Sequence, residues 1–244
     1  TIRKKNSSLS DNLKLNILRE TSNFKRLSSA LSFNQARINS KEVKKNDIFF
    51  AIKGKKNDGN KFVAQSFKRK ASLAVVNKIQ NKLNNRRQIK VKNTLKFLTD
   101  VSKIFRKNID TNIIAITGSC GKTTLKELLG NILSKISNVS ISPKSYNNKF
   151  GVPLSLFNLK QNDEYGILEV GMDKKGEIDF LSKIIEPNVG VITNINYAHA
   201  KNFKNIKQIA LAKSEIINNI KRHGYIVLNA DDSFFQLHKK IAKE

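Results

Sequence analysis

From about residue 109 onward, short apolar runs alternate with stretches in which apolar residues recur every three or four positions. NIIAI precedes such a stretch at 123–136, YGILEV precedes 177–185, VGVIT precedes 206–220, and YIVL closes the series at 225–228. Apolar runs without polar alternation predict strands covered on both faces, and their alternation with helical stretches predicts parallel βαβ units. In such sheets ligands sit beyond the carboxyl ends of the strands. Most of the chemistry-bearing residues singled out below follow such an end.

The first part of the chain patterns differently. DIFFAI at 47–52 and LAVV at 73–76 read as buried strands, separated by a turn-rich stretch, KGKKNDGNKF. Leu95, Leu98, Val101 and Phe105 recur at spacings of three and four, which marks one face of a helix at 94–107. The polar first thirty residues carry no pattern that assigns an element. The prediction is therefore an α/β protein: a small mixed α/β domain at 1–108, ending in the helix 94–107, then a P-loop-type parallel sheet with flanking helices at 109–244.

Composition changes this picture little. The 244 residues carry a formal net charge of +27, mostly as Lys scattered among Asn and Ile. That is a solvated basic surface; few aromatics interleave with the basic runs, and no nucleic-acid module is recognisable. A polyanionic small substrate suits the charge better than nucleic acid. One Cys excludes an internal disulfide framework and a cysteine-rich zinc site. No run approaches the roughly 20 apolar residues of a membrane span, and the start lacks a secretory signal, so a cytoplasmic protein is expected; a monomer is expected as well. Thr1 in place of Met suggests a missing or processed start.

The strongest chemical signal is ITGSCGKTTLKE at 116–127. A strand, a loop containing Gly118 and Gly121, then Lys122 and Thr123 opening a helix is the arrangement that binds a nucleotide triphosphate. Glycines let backbone N–H groups approach phosphates, and the helix start adds positive potential. On this reading Gly118, Ser119, Cys120, Gly121, Lys122, Thr123 and Thr124 cradle ATP, with Thr123 on Mg²⁺. Ile116 stands where the longer form of the loop has its first Gly, so this is the short TGxxGKT form. Cys120 lies within it at a helix N-terminus, which favours thiolate character. Glu169 ends an apolar strand, so its carboxylate is either at the open end of the sheet or expensively buried; as a hard oxygen it suits Mg²⁺.

The short loop resembles that of the Mur ligases, ATP-dependent amide-forming enzymes of peptidoglycan synthesis, and of the related folylpolyglutamate synthetases. Further segments resemble the D-alanyl-D-alanine-adding branch: SYNNKFGVPLSLFNL at 145–159, LEVGMDKKGEI at 168–178, TNINYAHAKNF at 193–203, ALAKSEI at 210–216 and LNADD at 228–232. The first domain is similar through INSKEVKKNDIFFAIKGKKNDGNKF at 38–62, the family's uridine-nucleotide segment. There Asn39, Ser40 and Lys41 stand where the family has Asp, Ser and Arg, and Asn60 stands where it has His. Lys keeps the charge of Arg but not its bidentate fork.

The resemblance implies that ATP phosphorylates a carboxylate to an acyl phosphate, which an amine then attacks, the substrates being UDP-N-acetylmuramoyl-tripeptide and D-alanyl-D-alanine. It implies two Mg²⁺ ions, metal-site roles for Glu169 and His199, and a carbamate on Lys213 that turns a cation into an anionic oxygen ligand. Lys122, Glu169, His199 and Lys213 form the implied catalytic set. Asn147 and Asn148 face substrate or γ-phosphate, and Asn229 and Asp232 approach the adenine or ribose; all four are also ordinary turn formers. Relatives continue into an amine-binding domain, so this chain is expected to be a fragment, inactive in ligation alone. Another Mur ligase or a folylpolyglutamate synthetase remains the alternative within the class, and a nucleic-acid-associated P-loop ATPase outside it.

Overall fold

The structure, a computed structural model, describes residues 3–22, 33–54, 57–197 and 202–243, with side chains from residue 13 onward in the first helix. The chain divides into two compact units, Thr1–Asn108 and Ile109–Glu244.

The first unit begins with helix α1 (Arg3–Ser22), in the polar stretch that carried no sequence pattern. Strands β1 (Ala36–Arg37), β2 (Ile48–Phe50), β3 (Leu73–Val76) and β4 (Gln88–Lys90) form a sheet in that order, every pairing parallel. Helix α2 (Val63–Lys68) follows β2, and α3 (Thr94–Lys107) follows β4. One apolar cluster joins Val43, Phe49, Ala51, Val63, Ala71, Ala74 and Val76. Phe50 points to the other face, its ring centroid 6.5 Å from that of Phe97 on α3. The start of α3 is fixed by Asn93, whose side chain accepts from Lys96 N. α1 packs along α3, and the buried Lys14 ammonium lies 4.9 Å from the centroid of the Phe105 ring.

The second unit contains β5 (Asn112–Thr117), α4 (Lys122–Leu133), β6 (Val139–Ile141), α5 (Gly151–Phe157), β7 (Tyr165–Glu169), α6 (Glu177–Ile185), β8 (Val189–Ile192), α7 (Ile206–Ser214), β9 (Tyr225–Leu228) and α8 (Phe235–Ile241). The sheet order is β6-β7-β5-β8-β9, all parallel. The chain leaves β5 toward one edge through β6 and β7, then returns to its other side through β8. Strand order thus reverses at β5, where a crevice opens beyond the strand ends.

Three expectations need correction. β9 is not covered on both faces: Tyr225 and Val227 are 72% and 52% exposed, because among the described residues nothing packs over that side of this outer strand. The helix expected over 206–220 stops at Ser214, and a 3₁₀ turn at Ile217–Asn219 follows. The cause is tertiary: the Glu215 carboxylate accepts from Gly176 N at 2.8 Å and Asp179 N at 3.1 Å, capping α6, and the Asn219 amide donates to Asp179. α4 likewise ends at Leu133, leaving Ile136 beyond it and exposed.

Candidate phosphate and metal site

The loop after β5 closes against the segment after β8. Gly118 has φ 149° and Gly121 φ 78°, both in the region that favours glycine, and a Cβ on Gly118 would overlap Thr193 Oγ1. Ser119 N donates to Asn194 O at 2.9 Å, and Cys120 N donates to Asn194 Oδ1 at 3.0 Å. Thr193 Oγ1 donates to Cys120 O, while Ser119 Oγ donates to Asn196 O and accepts from Asn196 N. Gly121 is the N-cap of α4, whose first-turn N–H groups have no intrahelical acceptors. Thr124 lies exposed in that first turn.

Two lysines converge on one carbonyl of the loop. Lys122 Nζ donates to Gly118 O at 2.9 Å and Ser119 O at 3.4 Å; Lys213 Nζ, from α7, donates to the same Gly118 O at 2.9 Å. Lys213 is only 2% exposed. Burial, and then the neighbouring Lys122 ammonium, push its pKa down to about 8 from an ordinary 10.5, against a smaller upward pull from Cys120. The amine is thus partly neutral at mildly alkaline pH.

Beside the loop, β7 delivers Glu169, which pairs in register with Ile116 of β5 and is 2% exposed. Thr123 Oγ1 donates to Glu169 Oε2 at 2.8 Å, and Asn147 Nδ2 donates to Glu169 Oε1 at 2.7 Å. Glu169 N donates to Ser142 Oγ at 3.2 Å. No cationic side chain among the described residues forms an ion pair with this buried carboxylate. A hydroxyl and an unneutralised carboxylate side by side, both hard oxygen donors, fit Mg²⁺. Among the described residues no three His, Cys, Asp or Glu side chains form a metal cage, so further ligands must come from phosphate oxygens and water, as Mg²⁺ favours.

The structure therefore gathers Gly118 to Thr123, Asn147, Glu169 and Lys213 at one end of the sheet. His199 lies outside the described residues. Asn148 has a local role: its Oδ1 accepts from Phe150 N and Gly151 N, opening α5. Asn229 Oδ1 accepts from Asp231 N, while Asp232 accepts from Phe234 N and, at 2.7 Å, from Ile195 N. These two residues are turn formers, and Asp232 also tethers the segment after β8. In the first unit Asn39 caps a 3₁₀ turn through Lys41 N, Ser40 Oγ donates to Gln65 Oε1 at 2.7 Å, and Lys41 is exposed.

Sequence reasoning missed Asn194, Asn196, Ser142 and Lys126. Lys126 is wholly buried on α4, its ammonium donating to Ser142 O at 2.7 Å and Lys144 O at 2.8 Å, with Glu127 Oε1 at 3.1 Å. One signal was available: Lys126 precedes Gly130 by one turn, on a side where a Cβ would press against Ile141 of β6.

A parallel sheet with its order reversed at a glycine loop, the loop lysine and threonine on one side and a buried carboxylate on the other, defines a nucleotide-binding α/β domain. Residues 116–244 match the family described as Mur ligase middle domain, and the chain belongs to the Mur ligase family. It is 36% identical over 213 residues to the UDP-N-acetylmuramoyl-tripeptide--D-alanyl-D-alanine ligase of Buchnera aphidicola (subsp. Acyrthosiphon pisum), covering 87% of this chain and 46% of that protein. To the ligase of the same name from Bacillus subtilis it is 35% identical, covering 80% and 43%. The MurF structure from Acinetobacter baumannii matches 93% of this chain and 51% of its own, at TM-score 0.80 and 32% identity. The MurF ligase of Thermotoga maritima in complex with ADP matches 86% and 48%, at TM-score 0.72 and 31% identity. The chain spans about half the length of the relatives it matches. No helix among the described residues is long and apolar enough to cross a membrane.

Proposed function

We propose that this chain supplies the ATP site and the uridine-nucleotide site of a cytoplasmic ligase that joins D-alanyl-D-alanine to UDP-N-acetylmuramoyl-tripeptide during peptidoglycan precursor synthesis. The observation that carries this reading is the pairing of Thr123 with the buried, ion-pair-free Glu169 beside the glycine loop. The printed names of the relatives, and the ADP complex of the Thermotoga maritima enzyme, support the choice of nucleotide and of substrates.

A carboxylate oxygen is a poor leaving group. The terminal phosphoryl of ATP passes to it as ADP departs; the amine nitrogen then attacks the carbonyl carbon, phosphate leaves, and the nitrogen gives up one proton. Positioning and charge neutralisation dominate such transfers. Mg²⁺, when bound, neutralises developing charge on the phosphate oxygens. Thr123 and Glu169 would hold it, with His199 serving directly or through water. Lys122 exchanges the Gly118 and Ser119 carbonyls for β- and γ-phosphate oxygens, and the N–H groups of Ser119 and Cys120 exchange Asn194 for phosphate. Thr124 and Gly121 complete the cradle.

Lys213 as a carbamate would help hold a second Mg²⁺. The amine nitrogen adds to CO₂ and releases one proton, a reaction of the neutral form, and a pKa near 8 makes that form available. Of the asparagine pair, Asn147 is assigned the contact with phosphate or substrate, a reading supported by its hydrogen bond to Glu169. In the first unit the turn at Asn39, Ser40 and Lys41 receives the uridine diphosphate, with Lys41 as its free-standing cation.

Calorimetric titration tests the substrate class. UDP-N-acetylmuramoyl-tripeptide is expected to bind, plain UDP more weakly, and an oligonucleotide not at all in 0.2 M salt. Oligonucleotide binding with no response to either uridine nucleotide would overturn the reading.

A further inference from the structure

Lys126 is the largest unexplained expense near the site. Lysine is almost never fully buried unless its ammonium is paired, and here the ammonium donates to two carbonyls of one loop, with the Glu127 carboxylate 3.1 Å away. That loop, between β6 and α5, passes Lys144 at φ 49°, an unfavourable conformation for a residue with a Cβ. The bend turns the carbonyls of Ser142 and Lys144 toward the same ammonium. Three residues further on, Asn147 Nδ2 reaches Glu169 Oε1, and Asn147 O accepts from Gly171 N at 2.7 Å. A Cβ on Gly171 would come within 2.9 Å of the Asn147 side chain, so glycine at 171 leaves room for this contact. At the head of the loop Ser142 Oγ accepts from Glu169 N, and Ser142 N donates to Ile167 O.

Both oxygens of the Glu169 carboxylate are therefore fixed from one helix. Thr123 takes Oε2 directly, and Lys126, three residues along α4, takes Oε1 through the loop and Asn147. We propose that Lys126 is a positioning residue for the metal-binding carboxylate: by clamping the Ser142 and Lys144 carbonyls it sets the reach of Asn147, which in turn sets the orientation of Glu169. This rests on the reading of Glu169 as a Mg²⁺ ligand. Groups that orient a metal ligand without touching the metal commonly change metal affinity on the order of 10- to 100-fold when removed.

The test measures Mn²⁺, as a probe for Mg²⁺, by electron paramagnetic resonance titration of the 244-residue chain with a non-hydrolysable ATP analogue, alongside analogue binding without metal. Lys126→Met is expected to weaken Mn²⁺ about tenfold or more while metal-free analogue affinity changes less than about twofold. Asn147→Ala should cause a similar loss. The double variant should be no weaker than the worse single one, because both changes cut the same relay. A role confined to packing would lower thermal stability but leave Mn²⁺ affinity intact, or make the two losses add; either result overturns the proposal. If Lys126→Met does not fold, Lys126→Arg keeps a buried cation while displacing its donors, and the same loss and the same coupling are expected of it. A wild-type chain that binds the analogue but no Mn²⁺, or loses nothing in Glu169→Gln, refutes the metal-ligand reading itself and the proposal with it.

Discussion

Glu169→Gln is expected to abolish most of what Mg²⁺ adds to nucleotide binding. Gln keeps the shape, and its oxygen still accepts from either Thr123 or Asn147, but its amide NH₂ then faces the other donor, and the carboxylate beside the loop is gone. Unit charges about 4 Å apart interact with about 4 kcal/mol at an effective dielectric of 20. Even after solvent recovers part of that, a loss of roughly 100-fold in Mg²⁺-dependent affinity follows, at 1.4 kcal/mol per decade. The measurement is calorimetric binding of an ATP analogue with Mg²⁺ and with chelator. Affinity in chelator should hardly change, since Lys122 and the loop N–H groups are untouched. A variant that retains the full Mg²⁺ effect would show that Glu169 is only a hydrogen-bond acceptor of the fold.

The second large effect concerns Lys213 and pH. Its pKa is about 8 in the folded chain, against 10.5 when unperturbed, so between those values the unfolded chain binds the extra proton. Stability then rises with pH through that window, and the full penalty is present below pH 8. The difference of pKa corresponds to a penalty on the order of 3 kcal/mol at pH 7 for this almost fully buried group. Lys213→Met should lose that part of the pH dependence. In CO₂-free buffer, the difference in unfolding free energy between wild type and variant, from urea melts at pH 7.5 and pH 10, should narrow or reverse by about that amount. In ¹³C-bicarbonate at pH 8, a carbamate resonance is expected from the wild type and not from the variant. Parallel pH profiles for the two proteins would contradict the burial argument, and a missing resonance would contradict the carbamate.

The legible part of the site was local. Gly118, Gly121, Lys122 and Thr123 lie within six residues, and their meaning comes from a strand before and a helix after, both readable from apolar spacing. Glu169 was legible because a carboxylate closing the apolar run YGILEV has few cheap placements. Lys126 was not, because a lysine among many on a helix looks solvated until the carbonyls of Ser142 and Lys144, 16 and 18 residues away, are brought to it. Asn194 and Asn196 were hidden for the same reason: their partners in the loop lie 74 to 77 residues earlier. In the fold, the runs that became β2, β3, β5, β7 and β8 stood out as apolar blocks. β1, β4 and β6 have only two or three residues each, too few to show a period. α5 escaped because GVPLSLF is buried on every side and so has no polar face to set a rhythm. The reverse error at β9 has a related source: YIVL is as apolar as a covered strand, but covering depends on neighbours that local sequence does not specify.

The loop 118–123 and Glu169 are expected to share one nucleotide and its metal in a single site. A crystal structure of the chain with Mg²⁺ and a non-hydrolysable ATP analogue tests it directly. The triphosphate is expected over the Gly118 to Thr123 backbone, with the Ser119 and Cys120 amides released from Asn194 and an ion about 2.1 Å from Thr123 Oγ1, held by Glu169 directly or through one water. A nucleotide bound elsewhere, with Asn194 still closing the loop and Glu169 away from any ion, would contradict it.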